Sequence, residues 1–120
     1  MPGRIITLVP DLLLEVRIDE AARRIDAELD ALSSAAYLDT ALSKPTDVLI
    51  VDLGVDGLDL EAIVSAAEAH NVPIVAFGPH VDVERLKAAK DAGMGSVLPR
   101  SAFLKGIRRI LSELIATDQS

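Results

Sequence analysis

Apolar residues along this chain alternate between two patterns: short continuous runs, and longer stretches in which they recur every three or four positions. The runs predict strands buried on both faces, and the spaced stretches predict helices with one buried side. Arg4–Val9, a segment around Ala27 to Leu32, Asp47–Leu53, Val72–Phe77 and Ser96–Leu98 are the predicted strands. Between them, helical spacing carries Leu14, Ile18, Ala21, Ala22 and Ile25, then Leu38, Ala41 and Leu42, and then Leu60, Ile63, Val64 and Ala67. A fourth helix runs through Leu86 and Ala89, and a fifth turns Phe103, Ile107, Ile110, Leu111 and Leu114 toward the core.

Punctuation residues support these boundaries. Pro10 and Pro45 interrupt the backbone donors of a strand and a helix. Asp11, Ser33 or Ser34, Asp59, Asp82 and Ser101 stand where helix caps are expected, and Asn71 and Gly93 where helices close. Five strands alternating with five helices over short connections predict an α/β fold: a doubly wound, three-layer sandwich with a parallel sheet covered on both faces. Residues 1–120 read as one domain, with 115–120 as a frayed tail.

Composition narrows the function. Only 2% of residues are aromatic, so the core is aliphatic and no base-stacking surface is available. A net charge of −7 opposes nucleic-acid and anionic-membrane binding, which rely on a basic field. The absence of cysteine removes disulfides, thiolate metal sites and cysteine nucleophiles. No apolar run approaches the roughly 20 residues that span a bilayer, so the expected location is the cytoplasm.

Chemistry in open α/β sheets collects outside the carboxyl ends of the strands. The apolar run Val48-Leu49-Ile50-Val51 ends there in Asp52, followed by Gly54. Gly78-Pro79-His80 leaves the fourth strand, Pro99-Arg100 leaves the fifth, and Asp11 follows the first. No nucleophile, base and oxyanion site assemble among these residues, so a hydrolase is not expected.

Val48-Leu49-Ile50-Val51-Asp52, the stretch from Ala88 to Leu98 and the order of elements resemble the receiver domain of two-component response regulators. The resemblance implies a flavodoxin-like sheet in the order 2-1-3-4-5. It also implies a phosphoacceptor aspartate at Asp52, a histidine kinase as donor, and magnesium held by Asp52 and Asp11. Set against the family's pattern, several parts differ. Pro10-Asp11 keeps one of two metal-binding acids, Gly78 stands where a hydroxyl is usual, and Arg100 replaces a lysine. Phosphoryl transfer depends on positioning and charge neutralisation, so these changes point to an atypical, or pseudo-, receiver.

Each residue also has a plainer role. Asp52 reads equally as a strand-end acid bonded to loop amides, Asp11 as a helix cap, and His80 as a solvated loop residue. His70 complements a helix dipole. Arg100, with the backbone amides at the start of the last helix, is placed to hold an anion, or else to pair with Asp52, standing in for acceptor neutralisation. Lys105, Arg108 and Arg109 form a basic patch on the last helix, either solvated or facing a protein partner or a second copy through the fourth helix, fifth strand and fifth helix. Two further functions remain: a low-efficiency magnesium-dependent phosphoacceptor at Asp52, and a module holding a small anionic ligand at Gly54, Gly78 and His80.

Overall fold

A computed structural model describes residues 3–115. Its elements, in chain order, are β1 (Gly3–Leu8), α1 (Leu12–Arg24), β2 (Ala27–Ala31), α2 (Leu38–Leu42, entered through a 3-10 turn at Ala35–Tyr37) and β3 (Val48–Asp52). Then come α3 (Leu60–Ala69), β4 (Ile74–Gly78), α4 (Val83–Asp91), β5 (Ser96–Pro99) and α5 (Arg100–Ile115). All strand pairs are parallel and the order is β2-β1-β3-β4-β5, as expected.

Every residue of β3 and β4 is buried, which is why both read as continuous apolar runs. Alternation along the strands divides the interior in two. Ile5, Val48, Ile50, Val75 and Phe77 pack against α1 and α5, while Ile6, Leu49, Val51, Ile74 and Ala76 pack against the helices of the opposite face. The helix signals work as the sequence implied. Asp59 accepts from the Ala62 amide and Asp82 from the Arg85 amide. At the far end of α4, Gly93 takes φ +100°, and the amides of Gly93 and Met94 reach back to the Lys90 and Ala89 carbonyls. Asn71 does the same for α3 at φ 58°.

Two expectations are corrected. Ser101 is not a cap: β5 ends at Pro99, paired with Gly78, and α5 begins at Arg100 with no loop, leaving Ser101 exposed in the first turn. On α5, Phe103, Ile107, Leu111 and Ile115 are buried, and Ile110 and Leu114, half-buried, pack against the same core as expected. Ile115 therefore ends a packed helix rather than starting the tail, and the rest of the predicted tail, 116–120, lies outside the described residues. Ser34 does cap, but its Oγ accepts from the Ala36 amide of the 3-10 turn, so α2 itself is short.

Candidate functional site at the carboxyl edge of the sheet

Parallel pairing sets Leu8 beside Val51, so the next step places Val9 beside Asp52 and brings Asp11 to the same rim. Asp52 is 6% exposed, and alternation along β3 puts its side chain on the α1/α5 side. Its Oδ1 accepts a 2.8 Å hydrogen bond from the Gly54 amide, closing a tight turn after the strand.

Asp11 does two jobs. Its Oδ1 caps α1 by accepting from the Leu13 and Leu14 amides, at 3.0 and 3.2 Å. Its Oδ2 accepts from Arg100 Nη2 at 2.6 Å. The Leu14 amide first, and Arg100 next, hold the Asp11 carboxyl below the usual carboxylate range. Arg100 thus pairs with Asp11, not with Asp52, which corrects that expectation. The reason lies beneath it. The guanidinium carbon sits 5.9 Å from the centroid of Phe77, which stacks at 4.5 Å on Phe103, one turn along α5. Phe77 is the strand partner of Asp52, so Arg100 lies above the rim directed toward the start of α1.

Apart from the Gly54 amide bonded to Asp52, the other predicted residues do not join this cluster. Gly78 is buried, and a Cβ there would meet Leu53 Cβ and Leu86 Cδ2 at 3.4 Å, on the α4 side. Gly54 and His80 are exposed, as is His70 at the end of α3. On α5, Lys105 and Arg108 line a groove against α1, whereas Arg109 lies 4.0 Å from Glu113 on the same helix.

One residue that sequence reasoning passed over organises the opposite side. Arg85 on α4 donates from Nη1 to the Leu53 carbonyl at 2.8 Å, and from Nη2 to Asp56; its Nε pairs with Asp82 at 3.1 Å. It ties α4 to the loop that follows Asp52. In sequence it is one more charge on a polar helix face, with no local signal of this reach.

Magnesium requires near-octahedral oxygen donors. Both Asp11 oxygens are engaged, one Asp52 oxygen faces the Gly54 amide, and Pro10 supplies none. Among the described residues no three His, Asp or Glu side chains converge to hold a metal. Of the Asp11 and Asp52 carboxylate oxygens at this rim, the second oxygen of Asp52 takes no hydrogen bond among the described residues, and magnesium, which keeps several waters, would be held through one or two such carboxylates.

Solved structures of similar shape include response regulators. A response regulator from Hahella chejuensis aligns at TM-score 0.81 and 22% identity, over 97% of each chain. One from Thermotoga maritima aligns at 0.77 and 13%, over 98% of this chain and all of that one. The fold is that of a receiver domain. The receiver domain of a sensor histidine kinase from Pseudomonas aeruginosa also aligns, at 0.76 and 16%, over 98% of this chain and all of that one; its structure has magnesium coordinated in the active-site cleft. No protein-family model matches the sequence, nor does any curated protein. Among the described residues no helix of this receiver fold is long and apolar enough to cross a membrane.

Proposed function

We propose that the chain is a cytoplasmic signalling module of the pseudo-receiver type, acting through protein contact without a phosphorylation switch. The observation that carries this reading is the Asp11–Arg100 pair. Phosphoryl transfer onto a strand-end carboxylate needs a mobile divalent charge to neutralise the acceptor and the incoming oxygens. Here a guanidinium fixed by Asp11 and by the Phe77 ring brings a permanent positive charge to that rim. With Gly78 at the end of β4, no hydroxyl stands there to follow a phosphoryl group. Arg85 adds to the same end, since it holds α4 to the loop after Asp52 through side-chain bonds that need no phosphate. The module keeps one conformation and presents its surfaces, α5 among them, to a protein.

Magnesium titration followed by amide NMR tests this. No saturable shift at Asp52 or Gly54 is expected; a saturable shift at both would favour the low-efficiency phosphoacceptor instead.

A further inference from the structure

Six of the chain's lysines and arginines have a carboxylate within ion-pair distance among the described residues: Arg4, Arg23, Arg85, Lys87, Arg100 and Arg109. Among the described residues the other six have none, and their distribution is uneven. Lys44 and Lys90 stand alone, but Arg17 and Arg24 of α1 and Lys105 and Arg108 of α5 line one groove between the two helices. Its floor is Ala21, Leu104 and Ile107, and Glu20 is its single acid. Arg17 Nη2 reaches the Leu104 carbonyl at 3.4 Å, which ties one wall to the other.

This segregation has a direction. In a chain of net charge −7, four cations without ion-pair partners along one apolar-floored groove form a local field opposite in sign to the whole. We infer that the α1–α5 groove is the docking surface for an acidic segment of a protein partner. The inference rests on the protein-contact reading above and names the face and the chemistry of the contact.

Two further observations select a protein over other anions. Arg17, Glu20 and Arg24 follow one another at helical spacing, and the stripe extends one turn back to Leu13, which is 81% exposed. An exposed leucine continuous with a basic groove fits an amphipathic segment bearing both acids and an apolar anchor, as protein interfaces do. Nucleic acid is disfavoured by the net negative charge and by the lack of exposed aromatic platforms beyond Tyr37.

The probe is a fluorescein-labelled amphipathic peptide of glutamate and leucine, read by anisotropy, with a lysine-for-glutamate version and a DNA duplex as controls. Saturable binding of the acidic peptide is expected, weakening as salt rises. Arg17→Glu with Arg108→Glu should weaken it by about ten-fold or more, whereas Lys44→Glu with Lys90→Glu, an identical change in net charge on other faces, should change it less than about two-fold. The milder pair Arg24→Gln with Lys105→Gln should weaken binding in the same direction and covers any misfolding of the first. Equal weakening by the Lys44 and Lys90 pair, tighter binding of DNA, no saturable binding at low salt, or dimerisation abolished by the groove variants would each overturn the assignment. Neither result bears on phosphorylation, so the docking surface and the loss of the switch fail separately.

Discussion

Arg100 and Asp11, 89 residues apart in sequence, meet at 2.6 Å over the ends of the strands that separate them in the sheet. The contact joins the start of α5 to the start of α1, so the two helices that cover one face of the sheet are latched at the rim where receiver chemistry would occur. Asp11 thus serves the helix cap with one oxygen and the cation with the other.

That latch predicts a pH dependence. Folding lowers the Asp11 pKa, chiefly through the Leu14 amide and then Arg100, so the unfolded chain binds this proton more readily. Its stabilising contribution is complete above the ordinary carboxylate range and disappears as pH falls through the depressed value. Urea unfolding across acidic pH should show the natural chain losing stability more steeply than Asp11→Asn, with the two curves converging at the acid end. Parallel curves would mean that the pair contributes nothing.

Thr7 gives a prediction for the core. Its side chain lies in the sheet interior with 0% exposure, and its Oγ1 has no hydrogen-bond partner among the described residues. A buried hydroxyl left unpaired is destabilising, and valine has nearly the same shape. Thr7→Val should therefore raise unfolding free energy by about 1 kcal/mol, measured by chemical denaturation. A loss of similar size would show that the hydroxyl has a partner in solution.

Arg85 should set the mobility of the loop after β3. It bonds the Leu53 carbonyl and pairs with Asp56 and Asp82, so its removal frees both ends of the tie. In Arg85→Gln, amide hydrogen exchange at Val55 and along the first turn of α4 should quicken while β1 and β3 remain unchanged. Unaltered exchange in that loop would assign the order there to packing alone.

Placing the residues usual in receivers at this rim should raise phosphoryl transfer. A Cβ at position 78 meets Leu53 Cβ and Leu86 Cδ2 at 3.4 Å, at the limit of ordinary contact, and of the two the Leu86 end can shift. The variant combining Pro10→Asp, Gly78→Ser and Arg100→Lys is expected to accept a phosphoryl group from acetyl phosphate at least about ten-fold more than the natural chain, in a magnesium-dependent manner. Labelling no higher than that of the natural chain would indicate that other features of the rim, such as the turn closed by Gly54, set the limit.

The architecture was legible because it is written locally. Val48–Asp52 is buried throughout and reads as an apolar run, and Asp59, Asp82, Asn71 and Gly93 mark helix ends by their own backbone chemistry. Partner choice was not legible. Sequence placed Asp11, Asp52 and Arg100 at one rim, but which acid Arg100 reaches depends on the Phe77 ring beneath it and on a helix that starts without a loop. Ser101 looked like a cap for the same reason that Ser34 is one: the residue type suits both, and only the backbone path decides. The sequence singled out neither Arg17 nor Arg85, because a helix face carries no mark of the neighbour that will pack beside it.

Whether Asp52 accepts a phosphoryl group separates a pseudo-receiver from a working one. Incubation of the natural chain with acetyl phosphate and magnesium, read by intact mass, is the decisive measurement. The unmodified mass alone is expected, as for the Asp52→Asn variant with its own substitution, under the same conditions. A stoichiometric phosphoryl adduct on the natural chain, lost in Asp52→Asn, would contradict the pseudo-receiver reading.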